Sequence, residues 1–65
     1  MKNKIRSMRT ERSWSQEELA EKVGVSRQTV NAIENDKYDP MLPLAYKIAK
    51  TFGKKIEDVF QLDER

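Results

Sequence analysis

The chain predicts an all-α fold, a bundle of five short helices in one domain. Three observations point there. Apolar residues recur at spacings of three and four in successive short segments, which puts them on one helical face. Ser15 and Ser26 stand immediately before two of those segments, where helix N-caps belong. Gly24 and Gly53 follow the last apolar residue of two segments, where a left-handed stop belongs.

The elements follow in order. Ile5, Met8 and Arg12 are helically spaced and predict a first helix over about 4–12. In the run WSQEELAEKVG, Ser15 is the N-cap and Glu18, three residues on, completes a capping box. Trp14 and Leu19 are placed as a hydrophobic staple, and Leu19, Ala20 and Val23 form the inward stripe. A further helix starts at once in SRQTVNAIEN, with Ser26 as cap and Val30 and Ile33 facing inward. Its third helical position is Thr29, so no capping box forms and the tip stays free of carboxylates. Asn35, Asp36 and the Asp39-Pro40 pair mark a loop. Leu44, Ala45, Ile48, Ala49 and Phe52 then predict a fourth helix over about 42–52, with Pro43 tolerated in its first turn. Ile56, Val59 and Phe60 carry a short fifth one.

Composition narrows the function. Sixty-five residues lie near the lower end of what one hydrophobic core can stabilise. There is no Cys and no His, which removes disulfides, thiolate metal sites and the commonest general base. Glu17, Glu18, Glu57 and Asp58 can be drawn as carboxylate pairs, but no nucleophile–base constellation or glycine-rich phosphate loop accompanies them. An enzyme, a metal site and a cofactor are therefore not expected. No apolar run approaches the roughly 20 residues that span a bilayer, and a signal-peptide apolar region is missing, so a cytoplasmic protein is expected. Net charge is only +2, yet Lys2, Lys4, Arg6, Arg9 and Arg12 face Glu11 alone through Trp14. That asymmetry suits a side turned towards a polyanion.

Two helices joined tightly around Gly24 describe a helix-turn-helix over about 16–35. The whole run SQEELAEKVGVSRQTVNAIENDKYDP resembles the Cro/repressor-type, or XRE, helix-turn-helix domains, above all their very short stand-alone members. The resemblance covers about 4–60. It implies a lambda-repressor-like five-helix bundle and sequence-specific binding of double-stranded DNA, with the second helix of the motif entering the major groove. On that reading Arg27, Gln28, Thr29 and Asn31 are the base readers, since Arg pairs bidentately with guanine and Asn or Gln with adenine. Gln16, Ser26, Lys37 and Tyr38 are placed for phosphate contact, with packing an equal alternative for Tyr38 and capping the first role of Ser26. Arg9 and Glu34 match a buried pair that links the first helix to the end of the third. Trp14 stands where relatives carry an aliphatic residue and reads as core.

The pattern also departs from the family. Met41 occupies a capping position without a side-chain acceptor, and Asp39 stands where an Asn is common and would repel phosphate. The resemblance further implies a homodimer on a palindromic operator, acting most simply as a repressor. Ile56, Val59, Phe60 and Leu62 are the expected dimer interface, with a small two-stranded terminal sheet as an option. Completion of the monomer core is the alternative for Ile56 and Val59. The competing function is an antitoxin-like or accessory module that grips another protein and binds DNA only secondarily. No small-molecule ligand is indicated.

Overall fold

The computed structural model describes residues 1–61. Five helices follow one another: α1 (Ile5–Glu11), α2 (Gln16–Val23), α3 (Arg27–Glu34), α4 (Leu42–Thr51) and α5 (Ile56–Val59). Local chemistry sets most of their ends. Ser15 Oγ accepts from the Glu18 amide at 3.0 Å while the Glu18 carboxylate accepts from the Ser15 amide at 2.7 Å, so the expected capping box is formed. Gly24 then adopts φ +90°, a left-handed conformation open to glycine and strained for other residues. Its amide closes α2 onto the Ala20 carbonyl. Ser26 caps α3 through the Thr29 amide at 3.1 Å. Met41 begins α4 with no side-chain cap, and the helix relies on Pro43 in its first turn.

Leu19, Val23, Val30, Ile33, Ile48 and Phe52 meet in one core, with Ile5 from α1 and Val59 from α5 closing it. Trp14 packs on this core and stacks on Phe52 at 5.6 Å between ring centroids, joining the α1–α2 turn to the end of α4. Arg12 ties the same corner together, donating to the Met8 and Phe52 carbonyls at 3.0 Å each. No helix among the described residues is long and apolar enough to cross a membrane.

Among the described residues, the optional terminal sheet is represented by one antiparallel bridge between Asn3 and Phe60. It is flanked by Lys4 N–H to Val59 C=O and Gln61 N–H to Lys2 C=O, each 2.8 Å. This pairing draws part of the expected dimer set into the monomer core. The chain leaves α5 extended, and Val59 and Phe60 are each 1% exposed within the monomer core. A helix of four residues cannot close a bundle alone, so the next side chain is drawn in as well. Ile56 is half-buried against that core, and Leu62 lies outside the described residues. Large apolar side chains are exposed elsewhere, notably Met41, Leu42 and Tyr46 around the start of α4.

Candidate nucleic-acid interface

The short turn after α2 fixes how α3 is presented. Val25 packs half-buried behind the turn, and Val30 and Ile33 anchor the inner side of α3 at 3% and 1% exposure. The outer side is left with Arg27, Gln28 and Asn31 exposed, while Thr29 is half-buried. The Thr29 hydroxyl shares a 3.0 Å hydrogen bond with Ser26 Oγ, so both are engaged in capping. No acidic residue occupies the first turn of α3. Backbone amides and one guanidinium therefore dominate the local field there, which suits an anionic partner. Lys37 and Tyr38 stand exposed in the loop that follows. Asp39, beside them, accepts from the Met1 amino group at 2.9 Å.

Behind this face lies the polar junction that braces it. The Arg9 fork grips Glu34 through Nε–Oε2 at 2.7 Å and Nη2–Oε1 at 3.1 Å. Its remaining nitrogen donates to the Trp14 carbonyl at 2.9 Å. The Glu34 side chain is fully inaccessible and that of Arg9 is 11% exposed. Gln16 Nε2 and Arg6 Nε also donate to Glu34 Oε1, at 3.1 and 3.4 Å. Burial acts to raise the Glu34 pKa, but hydrogen bonds from Arg9 and Gln16, with the Arg9 charge, outweigh it. The carboxyl is held below its ordinary value and is ionised at neutral pH. The hydrogen bond to Glu34 likewise raises the Arg9 pKa, against the opposing effect of burial.

The expected residues thus divide into three groups. Arg27, Gln28 and Asn31 share one exposed helical side, with Lys37 and Tyr38 in the adjoining loop. Arg9 and Glu34 form the anticipated pair. Gln16, expected to reach phosphate, has its side chain held between Glu34 and Asn31, the latter donating to Gln16 Oε1 at 3.4 Å. Three participants were not anticipated. Arg6 bridges Glu34 and the Asn35 side-chain oxygen, the latter at 3.2 Å, and Asn35 donates in turn to the Asn31 carbonyl at 2.9 Å. Asn3 donates to the Ile33 carbonyl at 2.9 Å and accepts from the Ile5 amide at 3.1 Å, tying the end of α3 to the start of α1. An Asn two residues before a helix is a recognisable start signal, whereas its bond to Ile33 spans 30 residues.

Comparison with known proteins places this geometry in context. A helix-turn-helix family profile matches residues 5–59. An uncharacterised HTH-type transcriptional regulator of Methanocaldococcus jannaschii is 62% identical over 60 residues, 92% of this chain and 91% of the relative. The cryptic phage CTXphi transcriptional repressor RstR of Vibrio cholerae is 39% identical over 88% of this chain and 51% of its own length. The crystal structure of the restriction-modification controller protein C.AhdI from Aeromonas hydrophila superposes with a TM-score of 0.80 at 28% identity. That match covers 86% of this chain and 85% of C.AhdI.

Proposed function

The chain belongs to the Cro/repressor-type (XRE) helix-turn-helix family, and from that membership we propose that it is a repressor that binds a palindromic operator as a homodimer. At the coarser level it is a transcriptional regulator with a helix-turn-helix DNA-binding domain, not an enzyme. The carrying observation is the exposed set Arg27, Gln28 and Asn31 on a helix whose other side is buried and whose first turn lacks carboxylates. Arg27 and Gln28 supply the fork-like groups that discriminate bases in the major groove, and Thr29 supplies a methyl or hydroxyl near the same tip. Lys37, Tyr38 and Ser26 lie where phosphate contacts fix register.

A dimer follows from information content. One eight-residue helix meets few base pairs, whereas two copies on half-sites about 34–36 Å apart read enough to be selective. Val59 and Phe60 are buried in the monomer core, which supports a dimer contact built on other surface residues. Similarity to RstR, named as a repressor, supports repression over activation. Occlusion of a promoter by the bound dimer is the simplest mechanism.

Selection from a random duplex library, followed by titration at two salt concentrations, tests the proposal. Specific regulation requires a large specificity ratio and a steep fall in affinity with salt. Equal affinity for all duplexes rejects it. Light scattering after size exclusion at micromolar concentration tests the dimer, which a monomer both with and without operator would rule out.

A further inference from the structure

The chain of hydrogen bonds that runs from the buried Arg9–Glu34 pair to the outer side of α3 assigns a direction to a base-reading side chain. We propose that Gln16 is a positioning residue that fixes the orientation of the Asn31 amide and thereby biases Asn31 towards adenine. The proposal rests on the assignment of α3 as the DNA-reading helix.

Polarity carries the argument. An ionised carboxylate has only acceptors, so the Gln16 group facing Glu34 Oε1 at 3.1 Å must be the NH₂. A side-chain amide is rigid, so Gln16 Oε1 is turned away from Glu34 and can only accept. The group that meets it, at 3.4 Å, is therefore the Asn31 NH₂. Asn31 Oδ1 and the second Asn31 N–H remain for an outside partner. Adenine presents an N6 amino donor beside an N7 acceptor in the major groove, and this pair of Asn31 atoms complements it. Guanine presents two acceptors there, O6 and N7, and would meet Asn31 Oδ1 with repulsion. The buried ion pair thus does more than hold α3 in place. Through one glutamine it sets which way the Asn31 amide faces. Gln16 itself is half-buried and need not touch a base.

The phosphate role expected for Gln16 makes a different prediction, because loss of a phosphate contact weakens all sequences alike. Gln16→Ala and Gln16→Lys separate the two. Lysine retains a donor for Glu34 and adds a charge attractive to phosphate, but it offers no acceptor to Asn31. The experiment measures Kd for the selected operator and for operators with each base pair substituted in turn, using wild type, Gln16→Ala, Gln16→Lys, Asn31→Ala and the Gln16→Ala/Asn31→Ala double variant. A good bidentate contact discriminates roughly 5- to 150-fold.

The expected result is that both Gln16 variants lose several-fold of the preference for adenine at the one position where Asn31→Ala loses it. Other positions keep their preferences, and Gln16→Ala causes no further loss of preference in the Asn31→Ala background. Uniform weakening at every position by Gln16→Ala, or an unchanged adenine preference in Gln16→Lys, overturns the positioning role and leaves the DNA-reading assignment standing. Wild-type protein that binds every duplex equally overturns both. A thermal melt of each variant shows whether it is folded, and the Lys variant supplies the decision if the Ala variant is not.

Discussion

Glu34→Ala tests the junction that braces α3. The deleted carboxylate receives two bonds from Arg9, at 2.7 and 3.1 Å, and one from Gln16 at 3.1 Å. The Arg6 contribution is small, since that side chain is 60% exposed and its contact is 3.4 Å. Removal strands a guanidinium that is 11% exposed, along with one amide N–H. Breaking a buried pair from one side costs about 3–5 kcal/mol. A 65-residue domain has a total stability of roughly 3–10 kcal/mol, so this substitution consumes a large share of it. At about 4–8 °C per kcal/mol, Tm falls by at least about 12 °C.

Glu34→Gln keeps the shape, but its NH₂ must replace an oxygen that accepts from Arg9 or from Arg9 and Gln16. Donor then faces donor and the buried guanidinium loses its counter-charge, so this variant too costs about 3–5 kcal/mol. Urea melts at pH 7 and pH 3 supply the sign. The folded pKa of Glu34 is lowered, so its contribution is complete above the ordinary value of 4.5 and is lost as pH falls through the folded value. Wild type should therefore lose part of its advantage over Glu34→Gln on acidification. A loss below about 1 kcal/mol in Glu34→Ala, typical of a solvated surface pair, refutes the buried-brace reasoning. A gap between wild type and Glu34→Gln that is unchanged from pH 7 to pH 3 refutes its pH component.

Three further outcomes are expected. Phe60→Ala should cost about 3–5 kcal/mol in a denaturant melt without changing the oligomeric state seen by light scattering, because the ring lies in the monomer core. Met41→Ser should raise stability by about 0.5–2 kcal/mol, since α4 starts without a side-chain cap and Met41 is 76% exposed. Gly24→Ala should cost roughly 1–2 kcal/mol, measured by thermal melt, through the left-handed backbone alone. A Cβ there meets nothing within 4 Å.

The local elements were legible because their signals are local. Ser15 with Glu18, Ser26 and Gly24 lie within a few residues of the backbone groups they satisfy, and the structure places each cap and stop as expected. Val30 and Ile33 were legible from periodicity, which also placed Arg27, Gln28 and Asn31 on the other side. Phe60 was ambiguous for a physical reason: an apolar residue past the end of a short helix suits a core and an interface equally. The bridge from Phe60 to Asn3, 57 positions away in sequence, draws it into the monomer core. The same holds for Gln16. Its type is compatible with phosphate contact, but its engagement depends on where Glu34 and Asn31 arrive in space. For Arg6 and Asn3, nothing in the neighbouring residues signals a partner on α3.

The corner around Trp14 has a practical consequence. The chain contains one tryptophan, and its indole is enclosed by aromatic and cationic groups: Phe52 stacked at 5.6 Å, the Lys22 ammonium 4.7 Å from the ring centroid and the Arg12 guanidinium at 5.8 Å. Tryptophan emission, excited at wavelengths where the two tyrosines do not absorb, is thus a single-site optical signal from the contact between the α1–α2 turn and the end of α4. Unfolding of that corner can be followed without labels. Because Trp14 belongs to the scaffold and not to the outer side of α3, a change in its emission on adding DNA reports strain transmitted into the bundle, while silence reports rigid docking.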